Sequence, residues 1–193
     1  MSRVGLPLKQ GLYDPRFEHD ACGVGFVVDM KGRKSHEIVT NGIRILENLA
    51  HRGACGCDPR TGDGAGILMQ MPDQFLRKVT AAQGITLPPE GDYACGIVFL
   101  PREYQSRNIV EEWVERLIHE EGLKFLGWRE VPHDDRYVGD VAHSVQPEMR
   151  QLFIGRGADT KPEEFESRLY VLRKRCWTRV NESTVHHRSF FYM

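Results

Sequence analysis

Apolar residues along the chain alternate between short unbroken runs and longer stretches with helical spacing. Cys22–Val28 is apolar and glycine-bearing, too short for a helix, and suits a strand covered on both faces. Asp29–Lys34, with Gly32, reads as a turn. Ser35 as N-cap, Glu37 in the first turn, and Ile38, Gly42, Ile45, Leu46 and Leu49 on one face predict a helix ending near Arg52-Gly53, with the glycine as C-cap. A polar, glycine-rich loop containing Pro59 follows over 54–64. Ala65–Met71 is the second predicted strand, and Asp73 opens a helix ending near Gly84. Leu87–Gly91 is a surface connection to a third strand, Tyr93–Leu100.

Beyond it, Val110, Trp113, Leu117 and Ile118 line one side of a helix whose other side carries Glu111, Glu112, Glu115 and Arg116. Leu123–Val131 is a fourth strand closed off by Pro132, residues 133–148 form a loop or short helix, and Arg150–Ile154 is a fifth strand. From Pro162 to about Val180, Phe165, Leu169, Leu172, Cys176 and Val180 recur at three and four, predicting an amphipathic helix whose Arg173-Lys174-Arg175 cluster is a solvated face. Ser189–Met193 begins another strand. Residues 1–21, with Pro7, Pro15, Gly5 and Gly11, form an extended or irregular arm. Alternating strands and helices imply a layered α/β arrangement. The pattern alone leaves open a doubly wound parallel sheet or two sheets packed between helices.

Composition narrows the function. At 193 residues and 40% hydrophobic content the chain builds one domain or part of one. Its net charge of -1, from 26 basic and 27 acidic residues, gives no basic surplus for nucleic acid. The five cysteines are odd in number and irregular in spacing, which argues against a secreted disulfide framework and for a reducing, cytoplasmic setting. No apolar run approaches the ~20 residues that span a bilayer. Charge across Tyr13–Asp20 breaks the apolar core that a secretory leader requires.

Three stretches carry candidate chemistry: Asp20-Ala21-Cys22-Gly23-Val24-Gly25, His51-Arg52-Gly53-Ala54, and Thr61-Gly62-Asp63-Gly64-Ala65-Gly66-Ile67. A thiol with pKa about 8.5 needs a base or a stabilising charge, and no Cys-His pair is evident. If Cys22 were the first residue of a mature chain, its own α-amino group, with pKa about 7.7–8.0, would be that base. Residues 1–21 would then be a leader removed after Ala21. Arg52 reads as a helix C-terminal cation, and Asp63 among its glycines as a turn entering a strand. His51 with Cys55 and Cys57 supplies three close donors and no fourth, at a spacing foreign to zinc ribbons and fingers, so no metal site is predicted. His186-His187 reads as surface.

Together with Gly11-Leu12-Tyr13-Asp14-Pro15, Phe17-Glu18-His19, Gly127-Trp128-Arg129-Glu130-Val131-Pro132, Gln151-Leu152-Phe153-Ile154 and Phe191-Tyr192, these stretches resemble the amino-terminal type-2 glutamine amidotransferase domain of the glutamate synthase large subunit. The resemblance covers nearly the whole chain. It implies an α+β fold, the four-layer αββα sandwich of N-terminal nucleophile hydrolases, truncated at its C-terminal side. Residues 1–21 are then a propeptide and 22–193 the front part of the domain. Cys22 becomes the nucleophile, Arg52 a substrate-binding cation beside it, and Gly23, Asp63 and Gly64 shapers of the pocket. L-glutamine is the implied substrate, and the ammonia released passes to 2-oxoglutarate. The oxyanion-hole asparagine and glycine and the substrate clamps of the family fall downstream of Met193. No cofactor is expected in this chain; FMN and an iron-sulfur cluster belong to later domains. The implied partners are those remaining synthase domains and a small electron-donating subunit, with neither nucleic acid nor membrane. Alternatives are another type-2 amidotransferase, such as amidophosphoribosyltransferase, and a catalytically silent interaction module. The longer leader and Gly62-Asp63-Gly64-Ala65-Gly66 favour glutamate synthase.

Overall fold

Three of the apolar runs pair with one another. In the computed structural model, which describes residues 8–14, 23–53, 60–62, 64–186 and 188–193, β1 (Tyr93–Leu100), β2 (Lys124–Glu130) and β3 (Glu148–Gly155) form a sheet in the order β1-β3-β2. Both pairings are antiparallel, with Val98 opposite Arg150 and Trp128 opposite Leu152. The strand predicted at 150–154 therefore starts earlier, at Glu148, and the parallel alternative does not apply to this sheet.

The chain divides into two compact units, and this sheet belongs to the one made of Pro72–Asp134 and Gln146–Met193. Alternate residues Val98, Leu100, Leu152 and Ile154 bury one face of the sheet against α3 (Tyr104–Glu120) and α5 (Pro162–Asn181). Val110, Leu117 and Ile118 of α3 meet Phe165, Leu172, Cys176 and Val180 of α5 in the same core as predicted, whereas Trp113 and Leu169 of the predicted stripes are only partly buried against it and Val114, not predicted, is fully buried. α2 (Asp73–Ala81) precedes the sheet. Its Arg77 donates to the carbonyl oxygens of Leu87 at 2.8 Å and Pro88 at 2.5 Å, while the Tyr93 hydroxyl donates to Asp73 Oδ1 at 2.9 Å. These bonds tie the connection at 87–91 to the helix. On the sheet's second face, β2 shifts register between Phe125 and Gly127. A Cβ on Gly127, at φ +152, would come to 2.8 Å of Ile85, so glycine permits both the backbone and the close approach.

The other unit comprises Met1–Met71 and Asp135–Val145. It holds α1 (His36–Asn48), a 3-10 helix over Ala50–Arg52, and α4 (Asp140–Ser144), the short helix admitted at 133–148. Ser35 caps α1 as expected, accepting from the Ile38 N–H at 3.4 Å. In the arm, Gln10 and Tyr13 close a turn through Gly11, at φ 56; residues 1–7 and 15–22 lie outside the described residues.

Several expectations are corrected. Gly23–Val28 and Ala65–Met71 have no regular secondary structure and pair in no ladder among the described residues, and Phe26 is 88% exposed rather than covered. A strand needs a neighbour as well as an apolar run. α1 stops at Asn48, short of Arg52-Gly53, and Gly53 at φ -79 is extended rather than a left-handed cap. Glu111, assigned to the polar side of its helix, is buried and reaches Arg150 on β3. Arg175 does not simply face solvent: its guanidinium donates to Glu120 and Glu121, both at 2.5 Å. In place of a strand at 189–193, a 3-10 turn over Arg188–Phe190 leads into one bridge, Tyr192 to Phe99.

Candidate active site

α1 ends in a tightened turn that carries His51 and Arg52. The Arg52 N–H donates to the Leu49 carbonyl at 2.8 Å and the Gly53 N–H to that of Ala50 at 3.3 Å. The His51 Nδ1 bonds the carbonyl of Asn48, the last helical residue, at 2.9 Å. Arg52 is half-buried, and among the described residues its guanidinium forms no ion pair or side-chain hydrogen bond. It is a cation fixed at its backbone with its donors open to an anionic group, since guanidinium geometry matches a carboxylate with two parallel bonds.

The run that follows Cys22 lies along α1. An added Cβ on Gly23 would approach Leu49 Cδ2 to 2.9 Å, and one on Gly25 would overlap Ile45 Cγ2. Ile45 and Leu49 belong to the apolar stripe read from the sequence, so the glycines are needed for close approach rather than for turning. Gly42 of α1 sits near Ile67, where an added Cβ would be 3.9 Å from its Cγ2. Segment 23–25 thus runs beside the helix end that bears Arg52. Cys22 itself and Asp63 lie outside the described residues, as do Cys55 and Cys57. Gly64 is exposed, and a Cβ there would meet nothing within 4 Å.

Two other thiols are described, and neither has nucleophilic surroundings. Cys176 is buried in the α3/α5 core, and burial pushes its thiol up to about 12. Burial also raises Cys95, against the opposing hydrogen bond from Gln151. Such thiols stay protonated and inert. Two surface concavities in the sheet-bearing unit, of about 280 and 250 Å³, lie around Arg77–Leu87 and between α3 and α5, and neither is lined by Gly23, Arg52 or Gly64. The role of His51 as a helix-end cap was missed by sequence reasoning; a histidine just past a helix terminus was the available signal. Among the described residues no helix is long and apolar enough to cross a membrane.

The family model for Glutamine amidotransferases class-II matches residues 22–193, starting at Cys22, and the chain belongs to that family. Within it, the chain is 46% identical over 172 residues to an NADPH-type glutamate synthase large chain of Bacillus subtilis (strain 168), covering 89% of this chain and 11% of that protein. It is 41% identical over 175 residues to an NADH-type glutamate synthase of Schizosaccharomyces pombe, covering 88% and 8%. A ferredoxin-dependent glutamate synthase 2 of Synechocystis is 34% identical over 156 residues, covering 81% and 10%. The chain spans about a tenth of the length of the curated relatives it matches.

Proposed function

We propose that the chain is the glutaminase part of a glutamate synthase, with Cys22 as an amino-terminal nucleophile. The observation that carries this reading is the family match, which begins at Cys22 and runs to Met193, with relatives of three synthase types. Cleavage between Ala21 and Cys22 frees the α-amino group, which takes the thiol proton. The thiolate attacks the side-chain amide carbon of L-glutamine, giving a tetrahedral oxyanion. As the C–N bond breaks, the ammonium returns its proton and ammonia leaves. The γ-glutamyl thioester is then hydrolysed by water, which releases glutamate and restores the thiol. Arg52 orients the substrate as a fixed cation, and Gly23, Asp63 and Gly64 shape the pocket wall. Released ammonia reacts with 2-oxoglutarate in another domain, which places the whole protein in glutamate biosynthesis and nitrogen assimilation.

The finer architecture proposed is the αββα sandwich, with a second sheet over the face of β1-β3-β2 opposite α3 and α5. The partly exposed Ile97 on that face supports it. A cytoplasmic setting, a small electron-donating subunit, and FMN and an iron-sulfur cluster in other domains belong to the same reading. Cys95 and Cys176, the described thiols, fall short of the set of thiolates a cluster needs, and no step of the mechanism runs through either cofactor.

The test is Cys22→Ala in the complete synthase. Glutamine-dependent glutamate formation disappears while ammonia-dependent formation persists. Retained glutamine-dependent turnover contradicts the assignment.

A further inference from the structure

We propose that His51 is a positioning residue for Arg52: its imidazole latches the turn that presents the guanidinium to substrate. The proposal rests on the reading of Arg52 as a substrate-binding cation. The last carbonyls of a helix have no intrahelical partner and otherwise go to water. Here consecutive carbonyls are engaged in order: Asn48 by the His51 side chain at 2.9 Å, Leu49 by the Arg52 N–H at 2.8 Å, and Ala50 by the Gly53 N–H at 3.3 Å. The first of these is the only one of the set made by a side chain, and it comes from the residue adjoining Arg52.

The chemistry of the contact fixes the tautomer. A carbonyl oxygen only accepts, so Nδ1 carries the hydrogen and Nε2 of the neutral ring is the bare acceptor. His51 is exposed, so replacing it disturbs no core. Without the latch, the turn frays and Arg52 samples more orientations, a cost met on binding glutamine rather than in the bond-breaking step.

Glutaminase kinetics in the complete synthase test this with His51→Ala, His51→Leu, His51→Asn, Arg52→Ala and the double variant His51→Ala/Arg52→Ala. Asparagine carries its Nδ2 donor where the imidazole carries Nδ1, whereas leucine keeps bulk and loses the donor. The expected result is a KM for glutamine raised about fivefold in the Ala and Leu variants, the factor equivalent to ~1 kcal/mol of lost ordering. kcat should change by less than about twofold, KM should stay near the parent value in His51→Asn, and the double variant should be no worse than Arg52→Ala alone. Ammonia-dependent turnover reports that the rest of the enzyme is intact. The proposal is overturned if Arg52→Ala raises KM while His51→Ala and His51→Leu do not, if the two effects multiply, or if His51→Asn behaves like His51→Ala. If Arg52→Ala itself leaves KM unchanged, the substrate-binding reading of Arg52 fails, and the latch loses its function with it.

Discussion

Glu111 of α3 and Arg150 of β3 form an ion pair at 3.1 Å between the helix layer and the sheet. Glu111 is 9% exposed, and the contact lacks hydrogen-bond geometry, leaving Oε1 without a donor. Burial pushes the Glu111 carboxyl up from 4.5, with Arg150 and then Arg107 opposing. An acid raised in the folded state binds more protons there than when unfolded. Stability therefore falls as pH rises from the ordinary value through the folded one, and the penalty is complete above that window.

Arg150→Met strands the buried carboxylate, and unfolding by urea near neutral pH should show a loss of roughly 3 kcal/mol. The loss should shrink as pH is lowered toward the ordinary carboxylate range, because burial raises the Glu111 carboxyl and it takes up its proton early in that descent. In a Glu111→Gln background, which lacks the titrating carboxyl, Arg150→Met should no longer show that pH difference. A loss for Arg150→Met that is the same at neutral and lowered pH contradicts this account.

Gly25 and Gly64 should respond oppositely to the same substitution. In Gly25→Ala the new methyl collides with Ile45, so thermal and urea unfolding should show a loss of about 1–3 kcal/mol. Gly64→Ala meets open space and should stay within about 0.5 kcal/mol of the parent. If Gly64 nevertheless shapes the glutamine pocket, its variant raises KM without a change in stability. Equal destabilisation by both substitutions would remove the close-approach argument for the run after Cys22.

Strands β1, β2 and β3 were legible because each is an apolar run bounded by turn residues, and α5 because its stripe recurs at three and four. Antiparallel order was not legible, since pairing is settled between runs far apart in sequence. Gly23–Val28 shows the same limit: the apolar run is there, yet it pairs in no ladder among the described residues, since only a neighbouring strand makes a run a ladder. Glu111 misled because it sits at the border of the α3 stripe, one turn from Arg107, and its partner Arg150 is on another element. Within the candidate site, Cys22 and Arg52 stood out through the residue types around them. The bond from His51 to Asn48 depends on α1 ending at that residue, a boundary that the hydrophobic pattern placed too late.

The thiols of Cys95 and Cys176 should be the slow ones. With iodoacetamide near neutral pH, peptide mapping is expected to show no modification of Cys176 in the native protein, because its thiol lies at about 12 in a closed core. Cys95, raised by burial and only partly accessible, should react slowly and speed up on unfolding in urea. Rapid native modification of Cys176 would mean that the packing of α3 against α5 is not as described.

The central claim is that Cys22, at the amino terminus of the mature chain, is the glutamine nucleophile. It is tested most directly by treating the complete synthase with the glutamine analogue 6-diazo-5-oxonorleucine and sequencing the amino-terminal peptide by mass spectrometry. The account predicts a peptide that begins at Cys22 and carries one adduct on that residue, formed in step with the loss of glutaminase activity. An inactivated enzyme whose mature chain retains Ala21, or whose adduct sits on another cysteine, would contradict it.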